Sequence, residues 1–151
     1  MTNEPTWICK TFNELTVSEL YCILRLRSAV FVVEQNCVYQ DVDGKDNASH
    51  HLCAWLHNQL VAYCRILPPG LSYAEASIGR VLSNPAHRKD GYGKQLMQKA
   101  IHKTYLLHNV PAIKIGAQQY LLKFYGELGF DPVGEPYLED NIPHVLMLHH
   151  R

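Results

Sequence analysis

The sequence predicts a mixed α/β domain in which helices flank a twisted β-sheet. Three observations lead there. The 151 residues are enough for one buried core and too few for two ordinary domains, so residues 1–151 read as a single unit. Hydrophobic residues make up 47% and charged residues 19%, the balance of a globular chain. Helical and strand-like patterns alternate in the order helix, three strands, helix, strand, helix, two strands.

Thr16-Val17-Ser18-Glu19 has the spacing of a capping box, so the first helix starts there. Val17, Leu20, Ile23 and Leu24 continue it at helical spacing to about Phe31. Residues 34 to 50 read as an irregular polar loop. His51 to Leu56 and Leu60 to Leu67 are β-rich runs joined by a hairpin turn at His57-Asn58-Gln59. Ser77 to Ser83 is a third strand, ended by Asn84-Pro85. The second helix begins near Gly91, with an apolar stripe of Leu96, Met97, Ala100, Ile101 and Leu107. A strand over Ala112 to Ala117 follows, then a helix over Tyr120 to Leu128 that stops at Gly129. Val133 to Leu138 and His144 to Leu148 complete the list.

Composition narrows the function. Fourteen basic and fourteen acidic residues give zero formal charge, so no broad nucleic-acid or anionic-membrane footprint is expected. Five scattered cysteines without a Cys-x-x-Cys pair argue against a disulfide framework and a thiolate zinc site, and fit a reducing, cytoplasmic setting. The adjacent pairs His50-His51 and His149-His150 would point to opposite faces of a strand, so no metal is expected. Cys37 reads as a small buried thiol. The first residues lack a signal-peptide layout, and no apolar run reaches the ~20 residues that span a bilayer.

The segment that carries chemistry runs from Ser77 to Met97: strand, short loop, two spaced glycines, amphipathic helix. Arg88-x-x-Gly91-x-Gly93 falls at the loop-to-helix junction. Unpaired N–H groups and the helix dipole favour an anion there, and glycine lets the backbone approach it closely. Arg88, Lys89 and Lys94 add positive charge. Neither the Walker spacing nor Gly-x-Gly-x-x-Gly is present, which sets aside those two nucleotide loops.

This segment resembles the pyrophosphate loop of GCN5-related N-acetyltransferases. The resemblance extends through Arg27 to Gln35, Tyr39-Gln40-Asp41-Val42-Asp43, Ile78-Gly79-Arg80-Val81, Gly116-Ala117-Gln118, Phe124 to Phe130 and Asn141-Ile142-Pro143-His144, blocks similar to the ElaA-like branch of that family. Asn141 stands where that pattern has glycine. The resemblance implies splayed central strands that form an acetyl-CoA cleft. It implies that the backbone edge of Val81, Leu82 and Ser83 binds pantetheine. The backbone of Arg88, Lys89, Asp90, Gly91, Tyr92, Gly93 and Lys94 would hold the pyrophosphate, with Gln118 near the pantetheine or acetyl group. It also implies an N–H near Val81 as oxyanion donor and Tyr125 as proton donor to the departing thiolate. By residue chemistry alone, Tyr125 would pack beside Phe124 and Leu121.

Acetyl transfer to an amine needs a group to take the amine's proton. Glu34, His51, Glu75 and His144 qualify chemically; His144 ranks first for its place in the Ile-Pro-His block, with Glu34 beside it, and ordered water is the alternative. The expected reaction is direct transfer from acetyl-CoA to a small-molecule or peptidyl amine, and the competing class is a non-catalytic acyl-CoA-binding module. Glu34, Asp41, Asp43 and Asp46 with Glu135, Glu139 and Asp140 are expected to form an acidic mouth for a cationic amine. Arg80 is expected to pair with Glu34, Asp41 or Asp43, and Trp7 and Tyr73 are candidate contacts of a homodimer.

Overall fold

The computed structural model describes residues 3–151. Its order is β1 (Thr6–Thr11), α1 (Val17–Arg27), β2 (His50–Leu56), β3 (Gln59–Leu67), β4 (Ser77–Ser83), α2 (Tyr92–His108), β5 (Ala112–Gln118), α3 (Leu122–Glu127), β6 (Phe130–Glu139) and β7 (Ile142–His150). Strands β1-β2-β3-β4 form one antiparallel sheet, and β5-β7-β6 form a second.

The helix starts where its capping box predicts: Glu19 N–H donates to Thr16 Oγ1 at 3.0 Å, and Thr16 N–H donates to Glu19 Oε1 at 2.8 Å. Past Arg27 the α-helix loosens into a π-helical turn over Ser28–Glu34, with Gln35 N–H reaching back to the Val30 carbonyl and Cys37 N–H to that of Val32. The wider turn carries the chain to Glu34 and Gln35 at the cleft described below.

Successive β2 residues face opposite ways. Cys53 joins Leu60, Tyr63 and Leu82 under Ile23 and Val30, the side covered by α1 and its extension. Leu52 and Ala54 join the larger core of Ile66, Ile78, Leu96, Met97, Ile113 and Phe130, the side covered by α2 and α3. In α2 the buried stripe is Leu96, Met97, Ala100, Thr104 and Tyr105; Leu107, expected in it, is 36% exposed. The i, i+4 step from Ala100 leads to Thr104, whose hydroxyl donates to the Ala100 carbonyl at 2.6 Å and so enters the core satisfied.

Strand β1 is absent from the sequence reading. Thr-Trp-Ile-Cys-Lys-Thr shows no clean alternation, because it is a half-covered edge strand paired only with β2. The last two strands are longer than expected. A slip between Val133 and Tyr137, with Gly134 at φ +84°, carries β6 on to Glu139. Asp140 (φ 50°) and Asn141 (φ 64°) then make the hairpin turn, a left-handed pair that asparagine tolerates well. Among the described residues, no helix is long and apolar enough to cross a membrane.

Candidate active site

The two sheets meet where β4 and β5 run parallel. Ala76 bridges Ile113, and Lys114 N–H donates to the Ala76 carbonyl at 2.9 Å. Beyond that point the strands part, and β4 keeps ladder partners only on its β3 side. A cleft of about 890 Å³ opens between them. Val81, Leu82, Ser83, Arg88, Gln118, Tyr125, His144 and Glu34 all line it, so the structure gathers these sequence-selected residues in one place.

At one end the chain leaves β4 through Asn84, whose N–H donates to the Val61 carbonyl at 2.8 Å and whose side-chain oxygen caps Ala86 N–H at 3.0 Å. A short 3-10 turn over Pro85–Asp90 delivers Gly91 at φ +76°, and α2 begins at Tyr92. The N–H groups of Tyr92, Gly93 and Lys94 have no intrahelical acceptor and are free to meet an anion, while of the Arg88 to Lys94 loop Arg88 alone lines the cleft. The Tyr92 ring turns into the core, so Tyr92 has only its backbone to offer there. Arg88 is exposed and ion-pairs with Glu34 across the cleft mouth. Glu34 is therefore engaged by the cationic loop.

Arg80 lies in β4 at φ +51°, a left-handed conformation costing roughly 1–2 kcal/mol for such a side chain. The β3–β4 register slips beside it, between Tyr63 and Arg65. Its side chain holds the bend: Nε lies 2.8 Å from Asp41 Oδ1, an Nη lies 3.3 Å from Asp43 Oδ2, and the guanidinium sits 5.4 Å from the Tyr39 ring centroid. Of the three partners expected for Arg80, the structure selects Asp41 and Asp43.

The acidic mouth expected from residues 34 to 46 is corrected here. Arg27 bonds Asp41 at 3.0 Å and Asp46 at 2.6 Å, and Arg65 bonds Asp43 at 2.6 Å and Asp46 at 2.9 Å. With Arg80, three arginines neutralise three aspartates, and the loop is a lock rather than a cation trap. Burial works against ionising Asp43 and Asp46, but the hydrogen bonds from Arg65 and Arg27 override it and hold both carboxyls below the usual range. The sign follows: their stabilisation is full above the unfolded aspartate pKa of ~3.9 and is lost as pH falls through the lower folded values. Thermal unfolding should therefore hold steady from neutrality to about pH 5 and fall steeply toward about pH 2. A flat melting temperature over that range would contradict the lock.

Near the end of β5 the pairing sets Gln118 opposite His144 of β7. Gln118 Nε2 reaches Gln35 Oε1 at 3.4 Å. His144 Nδ1 lies 2.7 Å from the Ile142 carbonyl, which can only accept, so Nδ1 carries the proton and Nε2 is left basic. Nε2 lies 3.5 Å from Glu139 Oε2. Tyr125 is 7% exposed and held edge-on by Phe124 and Phe130, ring centroids 5.2 and 5.9 Å away. Burial pushes its phenol pKa up, so it keeps its proton at neutral pH.

His51 and Glu75 do not line the cleft. His51 is fully buried between Tyr63 Oη at 2.6 Å and the Asp46 carbonyl at 2.9 Å, a structural role. Cys37 is buried and donates to the Asp140 carbonyl at 3.5 Å. The aromatics weighed for a dimer have other places: Trp7 lies under Lys99, and Tyr73 lines the cleft. Among the described residues, no group of three or more histidine, cysteine or acidic side chains is placed to hold a metal ion. Sequence reasoning gave no role in the site to Arg27, Arg65, Tyr73 or Tyr137, although Arg65 is a charge inside the apolar run Leu60 to Leu67.

Comparison with known proteins agrees with this architecture. Residues 15–149 match the acetyltransferase (GNAT) domain. Protein ElaA of Escherichia coli K12 is 46% identical over 139 residues, 89% of this chain and 90% of that one. The crystal structure of Escherichia coli ElaA superimposes with a TM-score of 0.90 at 42% identity, covering 97% and 99% of the two chains. An acyl-CoA N-acyltransferase from Pseudomonas aeruginosa gives the same TM-score at 46% identity, covering 95% and 99%. With its parted β4 and β5 and its glycine-led α2, the chain belongs to the GNAT acetyltransferase family.

Proposed function

We propose that this acyltransferase moves an acetyl group from acetyl-CoA directly to a primary amine, with both substrates in the cleft at once. The observation that carries the reading is the cleft itself: a free β4 edge, an anion seat at one end, and Tyr125 and His144 on its walls. These features fit acetyl-CoA. The N–H groups from Gly91 to Lys94 and the Arg88 guanidinium suit a pyrophosphate. The open edge of Val81, Leu82 and Ser83 suits the amides of pantetheine, with Gln118 across from it.

In this reading His144 Nε2 takes the amine's proton, and Glu139 stabilises the imidazolium that results. An N–H near Val81 faces the developing oxyanion. Tyr125, kept protonated by burial, donates to the departing thiolate. Glu34 keeps Arg88 turned toward the cleft until the pyrophosphate arrives.

Tyr125→Phe should lower kcat about 100-fold and change the acetyl-CoA Kd less than twofold, because the hydroxyl acts only as the thiolate leaves. Unchanged kcat would remove Tyr125 from the chemistry. The reading as a whole is tested by thiol release from acetyl-CoA over a panel of polyamines, amino acids, arylalkylamines and short peptides. Release that depends on an added amine supports transfer. Tight acetyl-CoA binding with no release from any amine or peptide would favour a binding module.

A further inference from the structure

We propose that the acceptor is an amino carboxylate, a molecule with a primary amine at one end and a carboxylate at another. This deepens the transferase reading above and rests on it. The charges that line the cleft mostly cancel. Glu34 pairs with Arg88, and Asp43 pairs with Arg65 and Arg80. What remains is two poles of opposite sign. One is Lys45, whose ammonium donates to the uncharged Ser72 hydroxyl at 2.9 Å. The other is Glu139 and Asp140, beside His144.

One continuous wall joins the poles. Ser72 leads to Tyr73, and the Tyr73 and Tyr137 hydroxyls converge over Gly116, at 3.1 and 2.8 Å from where a Cβ would stand there. Tyr137 faces His144 across the β6–β7 ladder, their rings 5.9 Å apart. Burial and then its neighbours Tyr73 and Glu139 push the Tyr137 phenol up to about 12. Both phenols therefore stay neutral; with Tyr137 donating to Tyr73, the Tyr73 hydroxyl is left to donate to a passing polar group.

The order of the poles follows from where the strands part. Ser72 and Tyr73 precede Ala76, at the joined end of β4 and β5. His144 lies opposite Gln118, five residues further along β5 from Ile113, where the strands have parted. The amine belongs at the parted end, beside the thioester, and the carboxylate belongs at Lys45. Lys45 is built to wait there. Its N–H is held by Asp43 Oδ1 at 3.1 Å, and its carbonyl accepts from Ser49 Oγ at 2.8 Å. The arginine–aspartate lock thus fixes the backbone of the residue that reads the carboxylate.

The test compares common amino acids and ω-amino acids with their own carboxamides as acceptors, by amine-dependent CoA release. Wild type, Lys45→Met and Lys45→Arg are measured together. The carboxamide has a more reactive amine, but that difference is the same for every variant and cancels when variants are compared. The acid-to-amide ratio in kcat/KM should be about tenfold higher in the wild type than in Lys45→Met, the worth of a charge-assisted contact. Lys45→Arg should keep the wild-type ratio. An acid-to-amide ratio as high in Lys45→Met as in the wild type would overturn the inference and leave the transferase reading standing. Release from none of these acceptors would overturn the inference, and release from no polyamine, arylalkylamine or peptide either would overturn the transferase reading with it.

Discussion

Gly91→Glu should abolish acetyl-CoA binding, weakening it by at least about 1000-fold. Two effects add. Gly91 has φ +76°, so any side chain there pays roughly 1 kcal/mol of backbone strain. The larger effect is charge. A carboxylate about 4 Å from a phosphate, at an effective dielectric near 20, costs about 4 kcal/mol, or about three decades in Kd. The fold should survive, because nothing lies within 4 Å of the position a Cβ would take. Gly91→Ala separates the two effects: it carries the strain without the charge and should lose about tenfold at most. Titration calorimetry on both variants, with circular dichroism to verify folding, reads the result. A folded Gly91→Glu protein with wild-type affinity would remove the pyrophosphate from this loop.

Arg27→Ala should destabilise the protein by about 3–5 kcal/mol, a third or more of the stability of an ordinary domain. Arg27 is fully buried and makes three hydrogen bonds, to the Asp41 and Asp46 carboxylates and to the Asp41 carbonyl. Removing it leaves two buried carboxylates short of a partner and opens a cavity between α1 and the loop. Arg27→Lys should fall between, since an ammonium keeps the charge but cannot span both carboxylates with a planar fork. Urea unfolding gives the numbers directly. A loss under about 1 kcal/mol for Arg27→Ala would place the lock's weight elsewhere. The variant also bears on the site, because the same lock holds Arg80 in its left-handed bend and Lys45 at the cleft.

How much was legible depended on whether a feature leaves a local trace. The capping box at Thr16, the β-rich runs of β2 and β3 and the glycine that leads α2 are local, and each appeared where the sequence placed it. Strand β1 left no such trace, since an edge strand with one covered face needs no strict pattern. The π-helical turn after Arg27 reads as ordinary helix, because its periodicity differs from the α-helix over only one or two turns. The electrostatic lock was the least legible feature. Asp41, Asp43 and Asp46 look like a solvated acidic loop until Arg27, Arg65 and Arg80 are brought under it by three different elements. Counting charges along the chain made this part of the cleft acidic, and counting them in space gives near neutrality with two opposed poles.

The central claim is that the cleft between β4 and β5 is an acetyl-CoA site. Calorimetric titration of the wild-type chain with acetyl-CoA, run beside ATP, tests it most directly. The account predicts one-to-one binding of acetyl-CoA with clear preference over ATP, since the β4 edge adds contacts that a nucleotide phosphate alone cannot make. No heat with acetyl-CoA, or equal affinity for ATP, would contradict it.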